Sequence, residues 1–342
     1  MMNIMRDKTM QAFVLDRYGK KSRLRLAHVD KTQPREDEVL VEVHAAGVNP
    51  LDAKIRSGEF KRILPYPLPL ILGHDIAGEV VEVGSRVQKF KRGDAVYARL
   101  DDLHIGGFAQ WVAVKEASLA HKPQGITMEE AASIPLVGLT AWQALVDKAA
   151  LRPGQKVFIQ AGAGGVGSFA IQLAKHLGAT VATTASAANA AFVKGLGADT
   201  VIDYRAQKFE DVLHGYDVVL HSQPRQALGA SLRVLRSGGQ LISLSGPPDP
   251  DFGKAIAAPR LLTWVMRWLS AGIRAKAKER GVGYSFLFMQ ASGEQLREIA
   301  ALIESGAVRP VVDRVFPFEC TPEALAYVEA GHAKGKVVIK RP

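Results

Sequence analysis

The chain has 342 residues, 47% hydrophobic and 23% charged, enough for two domains with substantial cores and the balance of a globular protein. Its single cysteine, Cys320, excludes an intramolecular disulfide and any four-cysteine zinc lobe. The net charge is +10, of which +6 falls between Lys254 and Arg280; Met1–Met10 lacks the apolar stretch of a signal peptide, and no run of about 18 uncharged apolar residues predicts a membrane span, so a cytoplasmic protein is expected.

Short β-like runs fill the first third, at Gln11–Leu15, Val39–His44, Ile76–Val83 and Ala95–Ala98, punctuated by turn residues. Thr127 with Glu130 three residues later forms a capping box at a helix start, and a second helix runs through Thr140–Leu145. Val157–Gln160 is then a short apolar strand, Ala161–Gly167 a glycine turn, and Phe169–Ala174 a helix with one apolar side. Further strands are predicted at Thr180–Thr184, Thr200–Asp203, Asp217–Leu220, Gln240–Ser245 and Ser285–Met289, with helices between most of them. That alternation predicts a doubly wound parallel sheet. Ahead of the last strand, Arg260, Arg267 and Arg274 recur every seven residues and so share one helix face, with Pro259 at the helix start and Leu261, Trp264 and Trp268 among them. This segment, 254–280, is taken as a cover with a solvated basic face; the alternative is an interfacial helix making peripheral contact with an anionic membrane or flanking a lipophilic entrance. Short strands return from Val311 to Ile339. The expected fold is α/β, with a Rossmann-type doubly wound parallel sheet over 131–306 and a strand-rich domain over 1–130 that the segment 307–342 rejoins.

Gly162, Gly164 and Gly167 have the G-x-G-x-x-G spacing, with the preceding strand and following helix that a dinucleotide site requires. The first glycine is expected to permit the tight turn, the second to admit a pyrophosphate, and the third to let the helix pack on the strand. The helix N-terminus would hold the phosphates. A site that prefers NADH places Asp or Glu about 20 residues further on, for the ribose 2′-OH. Here the strand runs into Ala185–Asn189 without a carboxylate. Nothing repels a 2′-phosphate, and NADPH is the expected cofactor.

The run Gly73-His74-Asp75-Ile76-Ala77-Gly78-Glu79-Val80-Val81-Glu82-Val83-Gly84 resembles the G-H-E-x-x-G-x-V-x-x-V-G signature of medium-chain dehydrogenases/reductases. Ala163–Ser168 with Gln172–Ala174, and Gly335–Ile339, resemble the quinone oxidoreductase branch; Gly47–Lys54 with Arg56–Gly58 is similar to plant enone oxidoreductases. The resemblance covers nearly the whole chain. It implies a split catalytic domain of GroES-like fold around a central Rossmann domain, NADPH, and a homodimer through the last Rossmann strand, here Ser285–Met289. It also implies cofactor contacts from Gly165 and Val166 in the turn and from Thr140 near the nicotinamide ribose. Ser186, Asn189 and Tyr204 would surround the adenosine 2′-phosphate. Relatives often carry lysine where Asn189 stands, so Arg205 is the substitute cation. His221, Ser245, Gly246, Phe286, Phe288 and Lys336 complete the implied set.

Zinc alcohol dehydrogenases of the same superfamily need three protein ligands and an open position. Where they have the first ligand cysteine, this chain has Asn49; His74 stands at the second position, and Cys320 lies far off. No metal is expected, and His74 and His44 are taken as packed histidines. Without a Lewis acid, the easier hydride chemistry is addition to an electron-poor carbon, in a quinone or a carbonyl-conjugated alkene. The acceptor oxygen becomes phenolate- or enolate-like, and one or two donors suffice to stabilise it. Lys54 is the expected donor, near the substrate carbonyl or the nicotinamide ribose. Asn49 either stands beside the nicotinamide or caps the Asp52–Arg56 turn, and Asp52 orients Lys54 or the ribose. Two alternatives stay open: an enoyl-thioester or haloacrylate-type reductase, and a non-catalytic NADPH-binding protein that binds RNA through its surface. Scattered charge without an aromatic-basic motif argues against nucleic acid.

Overall fold

The computed structural model describes residues 8–61, 64–255 and 259–341. Residues 1–7 of the segment assessed for a signal peptide lie outside the described residues. The chain forms two compact units, one running to Leu139 and resuming at Gln290, the other spanning Thr140–Met289. The boundaries therefore differ from 130/131 and 306/307. The helix Gly293–Glu304, expected with the parallel sheet, packs on the strand-rich unit instead. A Cβ at Gly293 would run into Leu119 O, and Tyr97 Oη donates to Leu296 O at 2.5 Å.

The first unit opens with β1 (Thr9–Leu15), β2 (Arg25–Asp30), β3 (Glu38–Val48), β4 (Leu70–Ile71), β5 (Asp75–Val83), β6 (Ala95–Arg99), β7 (Trp111–Lys115) and β8 (Leu119–His121). β1 lies between β2 and β4, whereas β3 pairs with β5 and β7, and β6 bridges β5 to β8. β3 is rich in valine and buried along most of its length, as a central strand should be. Gly78 has no side chain because a Cβ there would strike Glu42 O, next to an irregularity in the β3–β5 register. The capping box predicted at Thr127 is present: Glu130 N–H donates to Thr127 Oγ1 at 3.2 Å, and Thr127 N–H to Glu130 Oε2 at 2.8 Å.

In the second unit β9 (Lys156–Ile159), β10 (Thr180–Ala185), β11 (Thr200–Asp203), β12 (Tyr216–His221), β13 (Leu235–Ser243) and β14 (Gly283–Phe286) form one parallel sheet in the order β11-β10-β9-β12-β13-β14. This is a doubly wound sheet. Its strand order reverses between β9 and β12, and ligands of such sheets bind at the carboxyl ends of the strands there. Phe158 of β9, Val219 of β12 and Leu241 of β13 are fully buried in the cluster that joins sheet and helices. β14 is shorter than the predicted Ser285–Met289, and its ladder with β13 stops at Ser243–Phe286, where β13 itself ends. Leu287 and Met289 turn into the core beyond it. The predicted face of three arginines is also broken. The helix Arg260–Leu269 stops at Ser270, and Arg274 belongs to the next helix, Ala271–Glu279. Among the described residues, no helix is long and apolar enough to cross a membrane.

Back in the first unit, β15 (Val312–Pro317) lies parallel to β16 (Lys336–Lys340), and β16 pairs antiparallel with β3. Val337 stands opposite Val48, which brings Lys336 against Asn49.

Candidate active site

The glycine turn follows β9. Ala161, not Gly162, takes the left-handed conformation, with φ of 53°. Its N–H donates to Thr184 Oγ1 at 3.0 Å, and Gly162 N–H to Thr184 O at 3.0 Å. The turn role expected of Gly162 thus passes to its neighbour. Gly162 is needed because a Cβ there would run into Thr183 Oγ1. At Gly167 a Cβ would strike Ala161 O and lie 2.7 Å from Gly162 Cα, so this glycine seats the helix on the turn. Gly164 is different. A Cβ there would meet only Ala161 O, at an ordinary 3.4 Å, so the backbone stands beside open space. Gly164 is also the N-cap of the helix Gly165–His176 and brings no capping side chain. The first N–H groups of that helix, on Gly165, Val166 and Gly167, have no intrahelical partner and suit an anion. The cradle fits a dinucleotide pyrophosphate.

Ala185 of β10 stands opposite Asp203 of β11, so Ser186 and Tyr204 leave the sheet side by side. Ser186 is the N-cap of the helix Ala187–Gly195, and Asn189 in its first turn has a buried Oδ1 with no hydrogen-bond partner. Tyr204 is exposed, and the Arg205 guanidinium lies 5.7 Å from its ring centre. Asp203 accepts from Arg205 N–H at 3.0 Å, which turns its charge onto its own turn. The Asn189 amide offers an acceptor or, flipped, a donor. It suits a ribose hydroxyl as well as a phosphate.

His221 closes β12 at the point of reversal. It is fully buried, with Nδ1 2.9 Å from Ser231 Oγ; that oxygen also accepts from Gln160 Nε2 at 3.0 Å and donates to Ala227 O at 3.2 Å. Burial pushes the imidazole down to about 4, against the opposing effect of the Gln223 and Pro224 backbone. The ring is neutral at neutral pH, and its Nε2 has no partner among the described residues. Ser245 and Gly246 lie beyond β13, which ends two residues before Ser245. Ser245 Oγ donates to Gln223 O at 2.5 Å, and Gly246 N–H donates to Ser243 Oγ at 2.8 Å. Phe286 N–H donates to Asp249 Oδ2 at 2.8 Å, and the rings of Phe286 and Phe288 pack on Phe252 at 5.2 and 5.7 Å. Thr140 is buried within the helix Pro135–Trp142.

The first unit holds a separate polar cluster. Lys336 Nζ donates to Asn49 Oδ1 at 2.5 Å and to Asp75 Oδ2 at 2.9 Å. Asn49 Nδ2 donates to the same Asp75 oxygen at 3.0 Å, and Asp75 Oδ1 accepts from Leu136 N–H at 2.8 Å. All three side chains are buried. Asp52 Oδ2 accepts from Asn49 N–H at 2.8 Å, while Asp52 Oδ1 takes Gly73 N–H at 3.1 Å and faces His74 Nδ1 at 2.6 Å. A carboxylate at that distance requires the ring proton on Nδ1 and leaves Nε2, which has no partner among the described residues, as the second nitrogen. His74 is therefore oriented as well as packed.

Lys54 is outside this cluster. It lies half-exposed on the helix Pro50–Ser57, 3.9 Å from Glu59 and 5.9 Å from the centre of the Phe60 ring. Asp52, which was expected to orient Lys54 or a ribose, is fully engaged elsewhere. Lys336, expected at the cofactor, has two of its three ammonium donors committed. His44 lies on β3, only partly buried, and its carbonyl accepts from Arg341 N–H at 2.8 Å. Among the described residues, no group of three or more His, Cys, Asp or Glu is arranged to hold a metal ion. The sequence reading missed Asp75 and Ser231 as site members. An acid directly after His74 at a strand start was a signal for Asp75, whereas nothing local marks Ser231.

Two family models match the sequence: an alcohol dehydrogenase GroES-like domain over residues 35–124 and a zinc-binding dehydrogenase over residues 196–339. The chain is similar to the chloroplastic NADPH-dependent alkenal/one oxidoreductase of Arabidopsis thaliana, at 38% identity over 346 residues covering 97% of this chain and 80% of that protein. It is also similar to the mitochondrial NAD(P)H oxidoreductase RTN4IP1 of Danio rerio, at 36% identity over 359 residues covering 98% and 92%. Among solved structures, the quinone oxidoreductase from Coxiella burnetii superposes with a TM-score of 0.83 at 32% identity, covering 97% of this chain and 99% of that one.

The glycines separate folding from binding. Gly164→Ala should weaken dinucleotide binding with only the small drop in melting temperature that alanine costs at an N-cap, whereas Gly167→Val should lower the melting temperature sharply. Equal effects on both properties in both variants would contradict the geometry. His221 gives a pH signature. The unfolded imidazole protonates below about 6.5 and the buried one only near 4, so its contribution is complete above pH 6.5 and is lost as pH falls. Between pH 7 and pH 4 the loss amounts to about 3 kcal/mol. Urea titrations of a His221→Leu variant should show a correspondingly shallower pH dependence, and a slope parallel to the parent would refute the assignment.

Proposed function

The chain belongs to the medium-chain dehydrogenase/reductase superfamily, in its quinone and enone oxidoreductase branch, and we propose that it transfers hydride from NADPH to a quinone or a carbonyl-conjugated alkene. The observation that carries the reading is the pyrophosphate cradle after β9, open at Gly164 and uncapped by any side chain. A nicotinamide cofactor supplies the hydride when bound. The chain's residues hold it and stabilise the charge that hydride addition leaves on the acceptor oxygen.

NADPH is preferred in this reading because β10 ends without a carboxylate and Arg205 offers a cation beside Ser186 and Tyr204. The adenosine ribose falls to Asn189, and the nicotinamide side to Thr140, His221, Ser245, Gly246, Phe286 and Phe288. The reaction proceeds without zinc. Asn49 presents an amide bound to Lys336, and a divalent cation there would face the Lys336 ammonium directly. Donors to the acceptor oxygen come from Lys54, whose half-exposed ammonium has only the loose 3.9 Å approach of Glu59, and from the uncommitted proton of Lys336. Asn49 and Asp52 act through position, holding Lys336 and His74.

A homodimer through β14 belongs to the same reading, since β14 ends the sheet with one edge unpaired among the described residues. A monomeric mass in light scattering would remove it. The relatives above are named as chloroplastic and mitochondrial, so the expected cytoplasmic location is not carried forward.

Fluorescence titration should give tighter binding of NADPH than of NADH, with turnover insensitive to a strong chelator. Equal affinities would dissolve the phosphate pocket, and about one zinc per chain with chelator-sensitive turnover would end the metal-free mechanism. Lys54→Ala should lower kcat and kcat/KM together by about 10²-fold, the cost of losing an oxyanion donor. Lys54→Arg should rescue this only in part, because the guanidinium is larger and forked. A changed KM for NADPH with intact kcat would reassign Lys54 to cofactor binding. Changes within about twofold would make it a surface lysine.

A further inference from the structure

The helix Arg260–Leu269 is turned the wrong way round for a surface helix. Only Met266 is buried, while Leu261, Trp264 and Trp268 are 75%, 63% and 72% exposed, and Leu262, Val265 and Leu269 are also exposed. At 100° per residue, Leu261, Trp264, Val265 and Trp268 form one continuous face opposite Met266, and Arg260 and Arg267 line its edge. A soluble protein rarely leaves so many large apolar side chains together in water. The helix is nonetheless firmly ended: Arg274 donates from Nη2 to Arg267 O and from Nε to Ser270 Oγ, both at 3.2 Å, and Ser270 Oγ donates to Met266 O at 2.8 Å.

Charge selects the occupant. Lys276, Lys278 and Arg280 are exposed on the next helix and loop, and the segment 254–280 carries a net +6. Beside the apolar face, a pocket of about 420 Å³ is lined by Arg260, Arg267 and Arg274 with Thr263 and Trp264. Two acids also border it. Asp249 is occupied by the N–H groups of Phe252 and Phe286, and Asp251 pairs with Lys254 at 3.0 Å. A second copy of the chain would repeat the same positive segment across a two-fold axis, setting like charges against each other. An anionic lipid surface meets both needs: acyl chains for the tryptophans and leucines, headgroup phosphates for the arginines.

We propose that the helix Arg260–Leu269 docks the protein on anionic membranes, with Trp264 and Trp268 inserted and Arg260 and Arg267 at the phosphates. Docking is independent of the hydride-transfer reading. The full chain should co-sediment with phosphatidylcholine vesicles that contain phosphatidylserine, and bind vesicles of phosphatidylcholine alone at least roughly tenfold more weakly. High salt should release most of the protein. Trp264→Ser/Trp268→Ser and Arg260→Glu/Arg267→Glu change only surface side chains. Each pair should reduce binding roughly tenfold or more at unchanged melting temperature. Brominated acyl chains should quench the parent's tryptophan fluorescence and not that of the serine variant. Failure of the parent to bind anionic vesicles at low salt overturns the proposal, as does binding that both double variants retain. So does a parent oligomer that the serine variant converts to monomer while vesicle binding is absent, because a second copy would then cover the face.

Discussion

The Asp75 carboxylate ties the first unit together. Its two oxygens reach an amide 26 residues away, a backbone N–H 61 residues away and an ammonium 261 residues away. A carboxylate buried without such partners is strongly destabilising, and removing one member of a buried pair typically costs about 3–5 kcal/mol. The cluster therefore specifies which segments must meet: the start of β5, the turn before the helix Pro50–Ser57, the helix Pro135–Trp142 and the start of β16. It also fixes the amide orientation of Asn49, because Lys336 accepts no proton and Asp75 donates none. Asp52 continues the chain of constraints to Gly73 and His74.

The second unit is organised by backbone rather than by charge. Its parallel strands bury apolar runs on both faces, and the reversal of order between β9 and β12 leaves a gap beyond the strand ends. Two groups border that gap with little to satisfy them internally: the uncapped helix N-terminus at Gly164 and the neutral His221. Electrically, the site offers peptide dipoles and a neutral ring near the reversal, with Arg205 supplying positive charge beyond β11.

Much of this organisation was legible in the sequence because it is local. The apolar runs of β9 to β12, the glycine spacing and the Thr127 capping box each depend on a few neighbouring residues. The errors arose where the deciding contact is distant. Gly162 seemed to be the turn residue, but Thr183 on the adjacent strand is what excludes a side chain there, and Ala161 takes the positive φ. β14 was placed too far along the chain, because its position is set by its ladder with β13, which runs from Gly283 to Phe286. Lys54 stood out in a local motif, yet the buried polar cluster was built from Asp75 and Lys336, far apart in the chain. Seven-residue spacing aligned three arginines on paper, but Ser270 ends the helix before the third.

The pairing of β16 with β3 has a consequence for synthesis. The second unit is one continuous stretch and can close its sheet as soon as residue 289 has emerged from the ribosome. The first unit has no such freedom. Its longest strand waits for a neighbour that is translated nearly three hundred residues later, and until then Asp75 lacks the cation that balances it. The nascent chain thus holds a finished α/β body between two halves of an unfinished one. Placing the last strand against β3 is a non-local closure, of the kind that retards folding and prolongs exposure of β-edges.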